Sequence, residues 1–278
     1  VFHLDLIKFN QMLSEVRKNK SAIDRMLTVI GYMETVIAIG AFRTSAESYC
    51  IPRFDRGRGM KAENIYHPLL QNPVKNSILT EKGVLITGSN ASGKSTFLKT
   101  VAINAILAQT IHTCMADSYS ASLYRIMSSM ALRDDLAGGD SYYIVEIKSL
   151  KRILNRLEEE GNPVLCFVDE VLRGTNTVER IAASTQILKS LSKASVLCFA
   201  ATHDIELTHL LKKYYNNYHF EEEISEGDIQ FDYLIREGQA VTRNAIRLLS
   251  LLGYPEELVE SAEKTAEEFV EKGEWRCL

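Results

Sequence analysis

The segment "GVLITGSNASGKSTFLKT" (83–100) leaves few folds open. It begins as a short apolar run that reads as a strand. Small and polar residues follow, and then "KSTFLKTVAINAILAQ" (94–109) reads as a helix. Gly88, Gly93, Lys94 and Ser95 fit the spacing G-x-x-x-x-G-K-S/T. Glycines and small residues let backbone N–H groups wrap around phosphate oxygens. The start of the helix aims free N–H groups and a positive dipole end at the same point. Gly88, Ser89, Asn90, Ala91, Ser92, Gly93, Lys94, Ser95 and Thr96 are therefore the expected phosphate contacts. Lys94 would reach the β- and γ-phosphates of ATP, and Ser95 would ligate Mg²⁺.

Such a loop needs a carboxylate beside it. "PVLCFVDE" (163–170) is an apolar strand ending in Asp169 and Glu170. Asp169 is expected in the Mg²⁺ shell, and Glu170 as the general base for an attacking water. "ASVLCFAATH" (194–203) reads as a neighbouring strand that ends at His203, which would hydrogen-bond the γ-phosphate or that water.

Continuous apolar strands alternating with helices predict an α/β fold with a mostly parallel sheet, covered by helices on both faces. The chain ends differ from this middle. Leu6, Phe9, Leu13 and Val16 share a helix face, and 23–42 also reads as helix, weakened by Gly31 and Gly40. Residues 50–82 carry Pro52, Pro68 and Pro73 and read as the boundary and first strands of a second domain. "YHFEEEISEGDIQFDYLIREG" alternates like a hairpin. The tail reads as two helices joined at Gly253-Tyr254-Pro255. The predicted division is 1–49, 50–240 and 241–278.

Net charge of −4 excludes bulk-charge binding of polyanions, and the basic stretch "RFDRGRGMK" (53–61) reads as a solvated loop. The five cysteines lie far apart with no C-x-x-C pair, which predicts free thiols and a cytoplasmic setting. No apolar run approaches the roughly 20 residues that span a bilayer, so no membrane is expected. The first residue is Val rather than Met, which reads as a piece of a longer protein.

Several segments resemble one family in order along the chain. "ITGSNASGKSTFLKT" is similar to the I-T-G-P-N-M-x-G-K-S-T of MutS proteins, the DNA mismatch-repair ATPases of the ABC type. "MALRDDLAGGDSYYIVEI", "VDEVLRGTNT", "FAATHDIELTHL" and "RNAIRLLSLLGYPEELVESA" resemble later motifs of the same family, so the likeness covers about 60 to 262. The resemblance implies an ATPase homodimer with each nucleotide sandwiched between subunits. Ser141 matches the serine that reaches a partner's γ-phosphate, Asn90 the loop asparagine, and Thr175 and Asn176 a segment facing the other subunit. His219 matches a position near the adenine. Residues 1–49 would end the family's helical core and lever, and 241–278 would form a helical dimerisation element. DNA, duplex or branched, would be held by regions upstream of this chain.

The sequence also departs from the family. Ser89 replaces Pro, Ala91 replaces Met, and Leu172 stands where the family has Gly. Residues 72–78, "NPVKNSI", carry no aromatic to stack on a base, which leaves base stacking and the preference for ATP over GTP open. Two other readings stay open: a nucleotide-gated scaffold with little hydrolysis, and another ABC-type ATPase such as an SMC-type clamp.

Overall fold

The computed structural model describes residues 3–55, 57, 59–89, 92–130, 142–173, 175–225, 228–240, 246, 249–250 and 253–273. The chain divides into two compact units, Val1–Tyr49 and Cys50–Leu278.

The first unit holds helices α1 (Leu4–Lys18) and α2 (Lys20–Ser45), neither with a buried side chain. Gly31 and Gly40 do not interrupt α2. The Thr35 and Thr44 hydroxyls donate to the Gly31 and Gly40 carbonyls one turn back, as in a regular helix. The 26 residues of α2 correct one sequence expectation. The helix is long and apolar enough, at a mean hydropathy of 1.4 over 18 residues, to cross a membrane. The helix carries its hydropathy across a few charged and polar positions, so no single apolar run marks it. Length and composition alone also admit helices of soluble proteins, so one such helix near the N-terminus is weak support for a membrane.

The second unit is built on two sheets. Strands β1 (Arg53–Phe54), β2 (Met60–Ile65), β3 (Asn76–Thr80) and β5 (Ser118–Ala121) form the smaller one, in the order β1-β5-β2-β3. The larger contains β4 (Gly83–Thr87), β6 (Arg125–Ser129), β7 (Val164–Asp169), β8 (Val196–Ala201), β9 (Tyr215–Ser225) and β10 (Asp228–Glu237), in the order β10-β9-β4-β8-β7-β6. Every pairing in it is parallel except the β9–β10 hairpin.

The central strands are apolar at every position because both faces are covered. Val84, Ile86, Leu165, Phe167, Leu197 and Phe199 pack with α3 (Lys94–Ile111) and the smaller sheet. Leu85, Cys166, Val168, Cys198 and Ala200 face the other way. There they meet Leu150 and Ile153 of α4 (Tyr142–Arg156), Leu188 of α5 (Thr177–Ser190) and Leu207 of α6 (Glu206–Leu210). Phe167 and Phe199 are register partners, and their rings stack at 5.6 Å between centroids. Among the described residues Cys50, Cys114, Cys166 and Cys198 are free thiols, the last three buried among apolar groups; Cys277 lies outside the described residues.

Two boundaries differ from the sequence reading. Strand β8 ends at Ala201, so His203 lies in the turn that follows rather than on the strand. Strand β9 starts at Tyr215, earlier than the alternating pattern indicated, because Gly83–Thr87 pairs in parallel with Tyr215–His219. The last helix, α7 (Glu256–Lys272), follows Pro255 as expected, with Glu256 and Glu257 in its first turn. The predicted helix before Gly253 lies mostly outside the described residues.

Candidate functional site

Strands β4, β7 and β8 all end on the same side of the sheet, and β9 runs parallel to β4. The chain order reverses at β4, which sits between β8 and β9. Ligands of open α/β sheets collect at such a point, beyond the carboxyl ends of the strands.

A cavity of about 490 Å³ opens there. Its floor is Ser89, Ser92, Gly93, Lys94, Ser95 and Thr96. Glu170 lies on one side and Phe220 and Tyr233 on another, while His67, Leu70 and Pro73 extend it away from the loop. The two loop glycines are there for geometric reasons. Gly88 has φ +148°, and a Cβ on it would meet Ser92 Oγ at 2.9 Å and the Phe220 carbonyl at 3.0 Å. Gly93 has φ +105°, and a Cβ would lie 3.2 Å from the Tyr233 ring.

Lys94 is buried, and its Nζ donates to the carbonyls of Gly88 at 2.7 Å and Ser89 at 2.6 Å. Burial lowers its pKa to about 8, against the opposing pull of Glu170, Asp169 and Glu222. A buried cation facing an open cavity lined by small polar residues is arranged for an anion. Ser92 Oγ is buried with no hydrogen-bond partner, a group that an incoming oxyanion would satisfy. The Ser89 hydroxyl donates to the Glu222 carboxylate.

Glu170 follows β7. His203 Nε2 lies 2.7 Å from its Oε1, and Arg173 Nε lies 3.0 Å from its Oε2. The His203 hydrogen bond holds the Glu170 carboxyl below its usual range, opposed by partial burial and helped by the charges of Arg173 and Lys94. The turn here is strained. Glu170 and Leu172 have φ of +57° and +58°. Left-handed backbone costs a non-glycine residue of order 1–2 kcal/mol. A glycine in the family's motif is suited to the Leu172 position, and this chain offsets the strain by burying the leucine side chain. The Leu172 N–H also donates to Glu146 Oε1 at 2.5 Å. Burial pushes the Glu146 carboxyl up, and the backbone N–H groups of Leu172 and Arg173 pull it down. The turn holding His203 is tied to α5 by a bidentate pair, in which Arg180 donates to both Asp204 oxygens at 2.9 and 2.7 Å.

The structure thus brings Ser89, Ser92, Gly93, Lys94, Ser95, Thr96 and Glu170 to one cavity, with His203 on Glu170 and Asp169 close enough to act on Lys94. His219 is not part of that wall. It pairs with Thr87 in the sheet and its Nε2 lies 3.0 Å from Glu221 Oε1. Asn90, Ala91 and Ser141 lie outside the described residues. Among the described residues no cluster of three His, Cys, Asp or Glu side chains could hold a metal. Mg²⁺ takes few protein ligands beside phosphate and water, and Ser95 with Asp169 would meet that need.

Among the residues not singled out from sequence, Tyr233 and Asn76 line the cavity, and Glu222 holds Ser89 beside it. Tyr233 sits in a bulge of β10 between Phe231 and Ile235, with φ +56°. Asn76 holds the bulge with both ends of its amide: Nδ2 donates to the Tyr233 carbonyl at 3.0 Å, and Oδ1 accepts the Ile235 N–H at 2.8 Å. Glu222 comes from β9. The one signal in sequence was the hairpin's aromatic pair, Phe231 and Tyr233, whose rings stack at 5.9 Å.

The fold and site define a mixed α/β domain with a mostly parallel sheet and an anion-suited cavity at its switch point. A family model described as MutS domain V matches residues 84–270. The chain belongs to the MutS family and corresponds to its C-terminal region. It is 31% identical over 282 residues to the DNA mismatch repair protein MutS of Aquifex pyrophilus, covering 97% of this chain and 32% of that protein. Over 259 residues it is 29% identical to the protein of the same name from Thermus thermophilus, covering 91% of this chain and 31% of that protein. The namesake from Natronomonas pharaonis is 28% identical over 274 residues, covering 94% and 31%. The chain therefore spans about a third of the length of the curated relatives it matches.

Proposed function

We propose that this chain binds and hydrolyses ATP at the cavity between β4, β7 and β9, as the ATPase part of a MutS-like protein. The observation that carries this reading is the convergence of a buried lysine on the glycine loop and a histidine-paired glutamate across one cavity. Lys94 is released from the Gly88 and Ser89 carbonyls onto the phosphates, and the loop residues 88–96 wrap them. Ser95 and Asp169 would hold Mg²⁺, which when bound would supply charge neutralisation on the phosphate oxygens. Glu170, kept ionised by His203, takes the proton of the attacking water. Tyr233 offers its ring to the base, the role for which residues 72–78 have no aromatic. His219, proposed from resemblance as a base contact, would act from behind this wall.

The remaining assignments belong to the same reading. The chain works as a homodimer, with Ser141 of one subunit completing the other's site, and residues 241–278 serve dimerisation. Residues 50–240 are the ATPase domain and 1–49 the end of a helical lever. Nucleotide-driven closure controls a DNA clamp in repair or recombination, in the cytoplasm, with DNA held by upstream regions.

The test is ATP turnover against protein concentration, with and without DNA, for the chain and its Lys94→Ala and Ser141→Ala variants. A specific activity that rises with concentration and falls in both variants supports the reading. A rate untouched by Lys94→Ala overturns it. One observation favours a second reading, a nucleotide-gated scaffold: Glu170 is already engaged by both His203 and Arg173. Single-turnover hydrolysis separates the two.

A further inference from the structure

Three elements anchor the turn that carries Glu170. The Glu170 N–H donates to the Ala201 carbonyl of β8 at 3.0 Å. Ser184 Oγ of α5 donates to the Val171 carbonyl at 3.2 Å. The third anchor is Glu146 of α4, whose Oε1 accepts the Leu172 N–H at 2.5 Å and whose Oε2 is buried with no hydrogen-bond partner among the described residues.

Glu146 is the charged anchor of the three and is 1% exposed. It has no ion pair among the described residues and does not line the cavity. A carboxylate costs free energy to bury, and a neutral acceptor would satisfy one N–H as well. What the carboxylate adds is strength and direction. Its charge-assisted hydrogen bond is stronger than a neutral one, and it lands on one of the two turn residues with left-handed backbone.

We propose that Glu146 is a positioning residue: by holding the Leu172 backbone it fixes the direction of the Glu170 carboxylate, so that α4 governs the rate of water activation and not the binding of nucleotide. This rests on Glu170 acting as the general base. Small misplacements of a catalytic group lower rate while leaving ground-state binding intact.

The test uses the 278-residue chain with three changes: Glu146→Gln, Glu146→Ala, and Glu146→Ala combined with Leu172→Gly. Three quantities are read: kcat, affinity for a non-hydrolysable Mg-ATP analogue, and amide exchange at residue 172. Glu146→Ala should lower kcat by about 10- to 100-fold, with affinity kept within about threefold and the Leu172 amide exposed to exchange. Glu146→Gln keeps an acceptor but loses the charge, and should lower kcat by about threefold. The added glycine removes the backbone strain that Glu146 holds, so the double variant should recover much of the lost rate. A merely structural residue would lower kcat and affinity together, and that result overturns the proposal. So does an unchanged kcat. If Glu146→Ala does not fold, Glu146→Gln decides by the same split between rate and affinity. Failure of the underlying reading looks different. A wild-type chain that binds the analogue and never hydrolyses ATP removes Glu170 from its role, and the proposal falls with it. Wild-type turnover shared by all three variants removes only Glu146.

Discussion

His203 Nε2 stands 2.7 Å from Glu170 Oε1, and the contact joins the turns that follow the neighbouring strands β7 and β8. It keeps the Glu170 carboxyl below its ordinary range. Removing the imidazole with His203→Ala lets that carboxyl rise. The acid limb of the pH–kcat profile should therefore move to higher pH, which steady-state rates across pH will check. Stability follows the same sign. A depressed carboxyl contributes stability above its unfolded pKa and loses it as pH falls through the folded value. The stability gap between the chain and His203→Ala should thus close on acidification.

Glu170→Ala should abolish multiple turnover and leave nucleotide affinity within about threefold, since a general base acts on the water and not on the bound phosphates. Equilibrium binding of a fluorescent nucleotide beside a turnover assay reads both. Lost binding would remove the general-base role.

Lys94 has its pKa lowered to about 8 by burial. Bound phosphate favours the charged form and raises that value. Nucleotide binding at pH 9 should therefore take up a proton, and affinity should fall as pH rises through about 8. Titration calorimetry in buffers of different ionisation heat measures the uptake directly. No proton uptake would mean that Lys94 does not meet the phosphates.

Tyr233 reaches the cavity wall on a bulge that Asn76 holds at both amide ends. Stacking on an aromatic ring is worth about 1–3 kcal/mol per base. Tyr233→Ala should weaken nucleotide binding by about tenfold or more, and Tyr233→Phe should bind as the parent does. Equal affinity in the alanine variant would place the base elsewhere.

The Arg180–Asp204 pair is bidentate and mostly buried. Arg180→Ala should cost about 1–3 kcal/mol in urea unfolding, and Arg180→Lys should recover little because a lysine cannot reproduce the planar fork.

The sequence revealed what is local. Strands β4, β7 and β8 read as apolar runs because both their faces are buried, and α3 and the Gly88–Gly93 loop follow from spacing and glycine geometry. What it hid depends on pairing between distant segments. Glu222 reaches Ser89, and Tyr233 the cavity, only because β9 docks beside β4 and Asn76 holds the β10 bulge, contacts spanning more than a hundred residues. His219 was placed near a base by its motif, yet alternation along β9 turns Phe220 and Glu222 toward the loop and His219 away from it. The α2 helix escaped a search for unbroken apolar runs because a few charged positions interrupt the run and not the helix.

The sheet order has a further consequence for how this molecule opens. Strand β4 is paired on both sides within the sheet, whereas β10 is an edge strand that pairs only with β9 and is held besides by Asn76. Local unfolding begins at edges and reaches the centre last. The wall that carries Tyr233 belongs to the part that loosens first, and the strand before the glycine loop to the part that loosens last. Amides of Val84–Ile86 should outlast those of β10 in native-state exchange. The cavity can then admit or release a bulky ligand by fraying one margin of the sheet, while its floor keeps its shape.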